Sequence, residues 1–172
     1  IANTTSDRLA QNDAIYNKIK GCNNFRPSLA RGLIRLFGAH SALDPCAGWG
    51  DRLIGAIAAG VRYTGVDPND CLFPGYRKII ERFAKHDESK YTCLQSPFET
   101  CVLDSNYDLV MTSPPYFDLE IYTDDSGQSV NTFKNLDTWF NEFLVVSLKK
   151  AWAVLNAGGH MIIIINNILS RQ

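Results

Sequence analysis

The sequence lacks the features that mark secreted, disulfide-bonded or membrane-spanning proteins. Its five cysteines form no Cys-x-x-Cys pair, and their odd number and wide spacing argue against a disulfide framework or a zinc site. The longest uninterrupted apolar runs, at 151–155 and 161–165, are far shorter than the ~20 residues that cross a membrane. The first residues show no basic segment followed by an apolar one, so no signal peptide is recognisable. We therefore expect an intracellular protein, in the cytoplasm, nucleoid or nucleus, with reduced thiols and no membrane partner.

A surplus of charge of either sign is also missing. The 172 residues carry 17 Lys or Arg and 18 Asp or Glu, which gives a formal net charge of -1. Free-standing nucleic-acid-binding domains are usually basic, so binding of nucleic acid would need a local basic patch or sequence outside this chain. The isolated histidines lack metal-ligand spacing, and no metal site is predicted; they are His40, His86 and His160. An initiator Met is absent, and we expect a fragment of a longer protein.

The residues that are present indicate one globular domain with a sizeable core. The composition is 45% hydrophobic and 20% charged, an ordinary balance for a folded domain. Apolar runs bounded by turn residues predict strands at 42–43, 63–66, 91–94, 107–112 and 160–166. Apolar periodicity predicts helices at 12–20, 28–38, 51–59, 71–85 and 137–155. Strands that alternate with helices predict a parallel sheet with right-handed crossovers.

Two of the predicted helices have a clear apolar face that we expect to lie against the core. In the helix at 28–38 this face consists of Leu29, Leu33, Leu36 and Phe37. In the helix at 51–59 it consists of Leu53, Ile54, Ile57 and Ala58, and Gly60 ends the helix. The pair Pro74-Gly75 is expected to disturb the first turn at 71–85. Asp137 is the expected N-cap of the last helix, and Ala157-Gly158-Gly159 is expected to turn the chain into the last strand.

Three motifs follow the predicted strands. The first is the loop Asp44-Pro45-Cys46-Ala47-Gly48-Trp49-Gly50. The second is Gly65-Val66-Asp67-Pro68-Asn69. In the third, two prolines force a rigid, extended turn that ends a strand and presents an aromatic ring; it is Thr112-Ser113-Pro114-Pro115-Tyr116. Ligands of open parallel sheets bind outside the carboxyl ends of the strands, so we expect these motifs, together with Ser96, to line one crevice.

Together these motifs resemble those of the S-adenosylmethionine-dependent methyltransferases that modify exocyclic amino groups. The resemblance covers about residues 25–166. The Ser-Pro-Pro-Tyr form is similar to that of enzymes acting on the 4-amino group of cytosine in DNA, whereas Asn-Pro-Pro-Tyr or Asp-Pro-Pro-Tyr is commoner for the adenine 6-amino group. The resemblance implies a Rossmann-like class I α/β fold, with a mostly parallel sheet, helices on both faces, and adjacent first and fourth strands. The family sheet usually has seven strands; five are recognisable here, so we expect a core truncated after the fifth.

The resemblance also implies S-adenosyl-L-methionine as the cofactor. Asp44 and the backbone of residues 45–50 would hold its methionyl part, and Asp67 would accept two hydrogen bonds from its ribose diol. Pro68 and Asn69 would flank the adenine. Trp49 departs from the small residue usual at its position, and would wall the pocket or restrict the substrate. The alternatives from the residues alone are a tight turn without ligand at 44–50 and a turn with a helix cap at 67–70.

A dinucleotide site of the Gly-x-Gly-x-x-Gly type is a further candidate for the glycine loop. Here the third glycine position is Leu53, and Asp51 would face a pyrophosphate at the N-terminus of a helix. Two negative charges repel each other there. S-adenosylmethionine has no phosphate and carries a sulfonium and an ammonium group, so acidic residues suit it better.

Two further segments complete the assignment of the cofactor site. The segment Asn23-Asn24-Phe25-Arg26-Pro27 resembles the motif that closes over the methionyl end of the cofactor in amino-methyltransferases. In it Arg26 would pair with the cofactor carboxylate, the alternative being a surface arginine. We expect residues 1–40 to form this helical N-terminal segment, packed on a core of residues 41–172. Ser96 would accept a hydrogen bond from the adenine amino group and Phe98 would stack on the cofactor, with an ordinary loop as the alternative.

The segment Ser113-Pro114-Pro115-Tyr116 would carry the catalysis. A base amine is a poor nucleophile, because its lone pair is delocalised into the ring. The Ser113 side chain and the Pro114 carbonyl would accept the amino hydrogens and aim the lone pair, while the Tyr116 ring would stack on the extruded base. Its hydroxyl is not expected to matter, and catalysis would be largely positioning. A bare Pro-Pro turn is the alternative.

The predicted function is methylation of an exocyclic amino group of a nucleobase, with cytosine or adenine in DNA favoured. A recognition element outside this chain would supply the contacts to DNA. The alternatives are RNA, for example at the guanine 2-amino group, a glutamine amide of a protein, or a cofactor-binding subunit without catalysis. The loop at 117–133 is long and acidic, and is interpreted as a lid or as a solvated surface loop.

Overall fold

The computed structural model of the protein describes residues 24–117 and 128–165. The helix predicted at 12–20, most of the acidic loop at 117–133 and residue 166 lie outside the described residues. The strands are β1 (Ser41–Asp44), β2 (Arg62–Asp67), β3 (Tyr91–Gln95), β4 (Tyr107–Thr112) and β5 (Leu155–Ile163). The α-helices are α1 (Pro27–Leu36), α2 (Asp51–Ala59), α3 (Phe73–Phe83), α4 (Ser129–Thr132) and α5, a composite helix over residues 136–153. Short 3-10 turns lie at Asp70–Leu72 and Glu88–Lys90.

The five strands form one sheet in the order β3-β2-β1-β4-β5, and every pairing is parallel. Leu43 at the centre of β1 lies opposite Thr64 of β2 on one side and Val110 of β4 on the other. The predicted parallel sheet and the predicted adjacency of the first and fourth strands are both confirmed. Strand order reverses between β1 and β4, where the crevice of such a sheet opens.

Helix α1 buries a face that only partly matches the predicted one: Leu33 packs against the core, but the fully buried positions are others. Ala30 and Ile34 are its buried residues, whereas Leu29 and Leu36 are 49% and 74% exposed. A Cβ atom placed on Gly55 of α2 would lie 2.5 Å from the Cβ of Ala30. The two helices therefore approach too closely for a face of large side chains, and this close contact selects the side of α1 that is buried.

Helix α2 has the predicted bounds and ends at Gly60, which has the left-handed φ of 76°. Its predicted face is only partly right. Leu53 is buried, but Ala58 is exposed, and the other buried positions are Arg52, Gly55 and Ala56. The helix turns its second residue, a charged one, toward the interior, and periodicity of apolar residues cannot reveal this.

Helices α3 and α5 differ from expectation at their starts. Pro74 lies in the first turn of α3, where a proline costs no intrahelical hydrogen bond, so it does not disturb the helix. The N-cap of α5 is Asn135 rather than Asp137: its Oδ1 accepts a hydrogen bond from the amide of Thr138 at 2.8 Å. The middle of α5, Trp139–Leu144, is π-helical, a conformation that often accompanies functional sites.

Strand β5 begins at Leu155, so the predicted turn at 157–159 lies inside the strand. The pairing of β4 with β5 shifts register between Tyr107 and Leu109, which marks a bulge. Gly158 has a φ of 79°, and a Cβ on Gly159 would lie 3.0 Å from the carbonyl oxygen of Asp108. The glycines therefore serve a bulge and a close strand approach, not a turn.

Helices cover both faces of the sheet, as predicted. One core cluster joins α1, α2 and α3 to the sheet through buried residues that include Ile34, Leu53 and Tyr76. The other cluster lies on the opposite face and includes Val66, Phe98 and Ala151 of α5. Within residues 24–117 and 128–165, no helix is long and apolar enough to cross a membrane.

Candidate functional site

The carboxyl ends of β1, β2 and β4 meet at one edge of the sheet. Asp44 ends β1, Asp67 ends β2 and Ser113 follows β4. Because β1 lies between the other two strands, the loop that follows it is flanked by both. Ser96 follows β3, and its amide donates to the carbonyl oxygen of Asp67 at 3.2 Å. The sheet thus brings the four predicted polar positions to the same edge.

The glycine loop at 44–50 is held by hydrogen bonds from neighbouring elements. The Gly48 amide donates to Asp67 Oδ2 at 2.9 Å, and the Tyr76 hydroxyl donates to the Gly48 carbonyl oxygen at 2.5 Å. The Ala47 amide donates to the carbonyl oxygen of Val66 at 2.9 Å. Gly48 and Gly50 have φ values of 55° and 87°, a left-handed backbone that favours glycine. The loop conformation is therefore determined on both sides, by β2 and by α3.

Asp67 directs both carboxylate oxygens to backbone amides. Oδ2 accepts from Gly48, and Oδ1 accepts from Asn69 at 3.0 Å. The residue is 9% exposed, and burial raises the pKa of its carboxyl group against the opposing effect of the two amides. Each carboxylate oxygen has a second lone pair, so the group can order the loop and still accept hydrogen bonds from a ligand.

Asp44 is part of a buried network that the sequence did not indicate. Its Oδ2 accepts from Arg52 Nε at 2.7 Å and from the Tyr63 hydroxyl at 2.8 Å. Arg52 also donates through Nη2 to the Cys46 carbonyl. Burial disfavours the charged guanidinium, but Asp44 outweighs it, and the pKa of Arg52 is raised. The other oxygen, Asp44 Oδ1, is buried and has no hydrogen-bond partner among the described residues.

The side chains of the glycine loop divide between the interior and solvent. Pro45 and Ala47 are buried, and the Cys46 side chain packs beside the cluster of Trp139 and Phe143. Burial, followed by Asp67 and Asp44, raises the pKa of the Cys46 thiol, so it is uncharged at neutral pH. Trp49, in contrast, is 58% exposed. The tryptophan is therefore presented from a rigid backbone toward solvent.

The N-terminal motif contributes to this network through Phe25 rather than through Arg26. The guanidinium of Arg52 lies 5.2 Å from the centre of the Phe25 ring, a cation–π distance. Arg26 is the exposed N-cap of α1, and Pro27 starts that helix. Arg52 is thus the arginine in the interior of the site, and the carboxylate-binding role expected for Arg26 is untested.

The segments after β2 and β3 place their residues differently. The Asn69 side chain caps the 3-10 turn by accepting from the Cys71 amide at 3.1 Å, and Pro68 is half-buried beside it. The Ser96 hydroxyl donates to the Pro97 carbonyl at 3.0 Å. Phe98 is 2% exposed and lies in the core, where Lys150 Nζ sits 5.3 Å from its ring centre. Phe98 is therefore placed in the core, and its stacking on a cofactor stays a prediction.

The segment after β4 contains a hydrogen bond between its two predicted catalytic side chains. The Ser113 and Tyr116 hydroxyl oxygens are 2.6 Å apart, and the Tyr116 hydroxyl also lies 3.5 Å from the Ile164 carbonyl oxygen. Pro114 is buried, while Ser113, Pro115 and Tyr116 are partly exposed. The next residue, Phe117, has a φ of 51° and packs on Trp139 with ring centres 5.9 Å apart. The π-helical segment of α5 therefore supports the back of this turn.

Solved structures with a similar architecture include proteins named as methyltransferases or methylases. The glycopeptide N-methyltransferase MtfA with S-adenosyl-L-homocysteine superposes with a TM-score of 0.58 at 15% identity, over 83% of this chain and 49% of that one. The fold is that of the class I methyltransferases. TrmN from Thermus thermophilus gives a TM-score of 0.58 at 19% identity, over 81% of this chain and 38% of that one. An rRNA methylase from Streptococcus thermophilus gives 0.57 at 8% identity, over 86% and 75%.

One curated relative can be aligned by sequence. A tRNA (guanine(10)-N2)-dimethyltransferase of Methanothermobacter thermautotrophicus is 32% identical over 93 residues, which are 52% of this chain. The chain spans 27% of the length of that relative. No family model matches the sequence.

In this methyltransferase fold the described residues form two acceptor groups, one on each side of the glycine loop. Asp67 and the unpaired Asp44 oxygen provide negative charge on the β1–β2 side. The Ser113 and Tyr116 hydroxyls provide neutral acceptors after β4. The sequence did not reveal the residues that hold Asp44 and the glycine loop, which are Arg52, Tyr63 and Tyr76. The one available signal was an arginine in a helix, 51–59, whose residues after it are all apolar.

Proposed function

We propose that the chain is the catalytic core of an S-adenosylmethionine-dependent methyltransferase that acts on an exocyclic amino group of a nucleobase. The observation that carries the proposal is the adjacency of two motifs. The ordered glycine loop with Asp67 lies at the ends of β1 and β2, and Ser113-Pro114-Pro115-Tyr116 lies at the end of the neighbouring strand β4. A cofactor on the first and an amine on the second would meet at one crevice.

The residues present fit S-adenosylmethionine. Asp67 offers acceptors for the ribose diol, and the orphaned, buried Asp44 Oδ1 fits a donor such as the methionyl ammonium or a water bound to it. A Cβ placed on Gly48 would find no heavy atom nearer than 4.0 Å, so the loop leaves open space for a ligand. When bound, the cofactor supplies an electrophilic methyl group on a positively charged sulfur. The predicted roles of Pro68, Asn69 and Ser96 around the adenine belong to the same proposal.

The two hydroxyls after β4 would orient the amine. If Ser113 donates its hydrogen to Tyr116, its oxygen lone pairs face outward and accept an amino hydrogen. The Pro114 carbonyl would accept the second hydrogen. The nitrogen lone pair would then be held in line for attack, which is catalysis by positioning. The exposed part of the Tyr116 ring would stack on the base.

Within this chemistry, the tRNA relative favours RNA and the guanine 2-amino group over the cytosine or adenine of DNA expected from the motif. The motif itself suits either nucleic acid, because the acceptors address an amine and not a sugar. If the substrate were a glutamine amide of a protein, or if the chain bound the cofactor without catalysis, both nucleic acids would remain unmodified.

Mass spectrometry of nucleosides tests the proposal. The chain is incubated with S-adenosylmethionine and either an unmodified tRNA transcript or duplex DNA, with Ser113→Ala as the matched control. We expect N2-methylguanosine in the tRNA, and its loss in the control. Methylated cytosine or adenine in the DNA arm would keep the enzyme class and change the substrate. No methylated nucleoside in either arm, from a chain that binds the cofactor, would contradict the proposal.

A further inference from the structure

The near-neutral net charge hides an uneven distribution along the chain. Residues 24–90 carry ten Lys or Arg against seven Asp or Glu, whereas residues 91–172 carry four against nine. Three of the charges in the first segment are internal, namely Asp44, Arg52 and Asp67. Residues 24–90 are therefore basic at their surface, whereas residues 91–172 are acidic in composition.

The basic residues concentrate on one layer of the molecule. Helices α1, α2 and α3 pack on the same face of the sheet, since buried residues of all three belong to one core cluster. The exposed cations of this layer, called here the basic helical face, are Arg31, Arg35, Arg77, Lys78, Arg82 and Lys85. Helices α1 and α3 contain a single acidic residue, Glu81.

The cations of the basic helical face have no internal partners. The ion pairs within residues 24–117 and 128–165 are Arg52 with Asp44 and Lys90 with Asp87, so none of the six is paired. Arg31 and Arg35 are one turn apart on α1, and such residues stand about 6 Å apart along a helix. Exposed, unpaired cations repeated at this spacing offer a polyanion successive contacts without the cost of breaking ion pairs.

The basic helical face is continuous with the candidate site. Tyr76, whose hydroxyl holds the Gly48 carbonyl, directly precedes Arg77 and Lys78. At the other helix, Phe25 packs against Arg52 of the site network just before α1 begins. Helix α2 contacts both α1 and α3 and begins directly after the glycine loop and the exposed Trp49, so a strand of nucleic acid that lay across α1 and α3 would cross the helix that carries this loop.

We infer that the basic helical face binds the phosphodiester backbone of the nucleic acid whose base is methylated. The inference rests on the proposed function for the identity of the polyanion. Contacts to phosphates position a nucleic acid without reading its sequence. Lys and Arg at the surface release counterions on binding, so the affinity must depend steeply on salt.

Fluorescence anisotropy with labelled nucleic acid tests this surface. The probes are an unmodified tRNA transcript and a duplex DNA of similar length, titrated with the 172-residue chain at several KCl concentrations. The variant Arg31→Gln/Arg35→Gln is compared with Lys134→Gln/Lys149→Gln, which removes the same charge from exposed positions outside the layer. A fourfold variant adds Arg77→Gln and Lys78→Gln. All six positions are exposed, so circular dichroism should show unchanged folding.

The expected result is a loss of affinity confined to the basic helical face. Each phosphate contact removed should lower the slope of log K against log salt by about 0.7–0.9, so the fourfold variant should lose about 3. Its affinity at moderate salt should fall by on the order of tenfold or more, while the control pair stays near wild type. Tighter binding of DNA than of tRNA would identify DNA as the source of the phosphates.

Two results would overturn the inference: equal slopes in the fourfold variant and the control pair, or no binding of either probe by the wild type. Calorimetry with S-adenosylmethionine keeps the proposed function separate. If the chain does not bind the cofactor but the salt slope still depends on the four cations, the basic helical face is supported as a nucleic-acid-binding surface and the proposed methyltransferase function is contradicted. If the cofactor binds and the slopes are equal, only the surface is wrong.

Discussion

At the scale of single residues, Asp67 orders the glycine loop and is also the proposed acceptor for the ribose diol. The same carboxylate that is expected to bind the ribose diol holds the amides of Gly48 and Asn69. A substitution therefore acts on the cofactor directly and through the shape of the glycine loop. Asp67→Asn separates the two in part, because the amide keeps one oxygen acceptor and loses the other.

We predict that Asp67→Ala weakens S-adenosylmethionine binding by about 1.5–3 kcal/mol, roughly ten- to a hundredfold in Kd. Asp67→Asn should lie between the alanine variant and wild type. Isothermal calorimetry provides the measurement, and Asp104→Ala, which removes an exposed carboxylate elsewhere, is the control. Unchanged affinity in Asp67→Ala would remove Asp67 from the cofactor site.

The bond between Ser113 and Tyr116 changes what is expected of the tyrosine hydroxyl. From the sequence only the ring was expected to matter, so Tyr116→Phe would have retained most activity. At 2.6 Å the hydroxyl instead orients Ser113. Both Ser113→Ala and Tyr116→Phe should slow methyl transfer by on the order of tenfold, since ~1.4 kcal/mol is a factor of ten, with little change in cofactor affinity.

Single-turnover transfer to the identified substrate, alongside cofactor titration, distinguishes these roles. The double variant Ser113→Ala/Tyr116→Phe should be little worse than either single one, because both remove the same alignment. A Tyr116→Phe rate equal to wild type would restore the ring-only interpretation. Full activity in Ser113→Ala would show that residues 113–116 form a turn without a catalytic role.

At the scale of elements, Asp108 joins the starts of three strands. Its carboxylate accepts from the amides of His40, just before β1, and Ser41, the first residue of β1, from the Ser41 hydroxyl, and from Asn156 of β5. The bond from Asn156, then the His40 and Ser41 bonds, lower the pKa of Asp108 despite some burial. This edge of the sheet lies opposite the candidate site, so the role of Asp108 is to hold the three strands together.

A carboxyl group with a lowered pKa in the folded state stabilises the fold above its unfolded pKa of about 3.9, and loses this effect as pH falls through the folded value. Asp108→Ala should therefore lower the free energy of unfolding by about 1–2 kcal/mol at pH 7, with exposure limiting the effect. The difference from wild type should shrink as the pH falls below about 4. Urea unfolding at pH 7 and pH 3 measures it, and a constant difference would contradict the assignment.

At the scale of the whole molecule, the buried pair of Arg52 and Asp44 couples the first strand, the glycine loop and α2. Both side chains are almost fully buried, at 6% and 1% exposure. Removing one partner of such a pair leaves an uncompensated buried charge, which costs about 3–5 kcal/mol. The stability of the fold and the shape of the site thus depend on the same two residues.

Arg52→Ala should accordingly lower the melting temperature by about 10 °C, given 2–4 °C per kcal/mol for a chain of this size. Arg31→Ala, on the exposed side of α1, should change the unfolding free energy by no more than about 0.5 kcal/mol. Thermal unfolding followed by circular dichroism compares the two. Equal melting temperatures would show that Arg52 is solvated, contrary to its burial.

The fold could be predicted largely because its signals are local. Each of the first four strands contains apolar residues and ends at a polar one, as β4 does at Thr112, and the left-handed Gly60 ends α2. The positions of Asp67 and Ser113 at strand ends follow from the same reasoning. The π-helical segment at Trp139–Leu144 could not be predicted, because a single widened turn leaves no distinct period in so short a sequence.

The sequence by itself determined the order of strands and helices, and with it the edge at which the motifs meet, because hydrophobic period and turn chemistry act over a few residues. Only the tertiary structure decided which side chains serve the site and which serve the core. Phe98 and Arg52 show this most clearly: the aromatic residue expected at the cofactor is core, and the unremarked arginine supports Asp44. Such choices depend on contacts between residues distant in sequence, where close packing and the cost of an unpaired buried charge outweigh local preference.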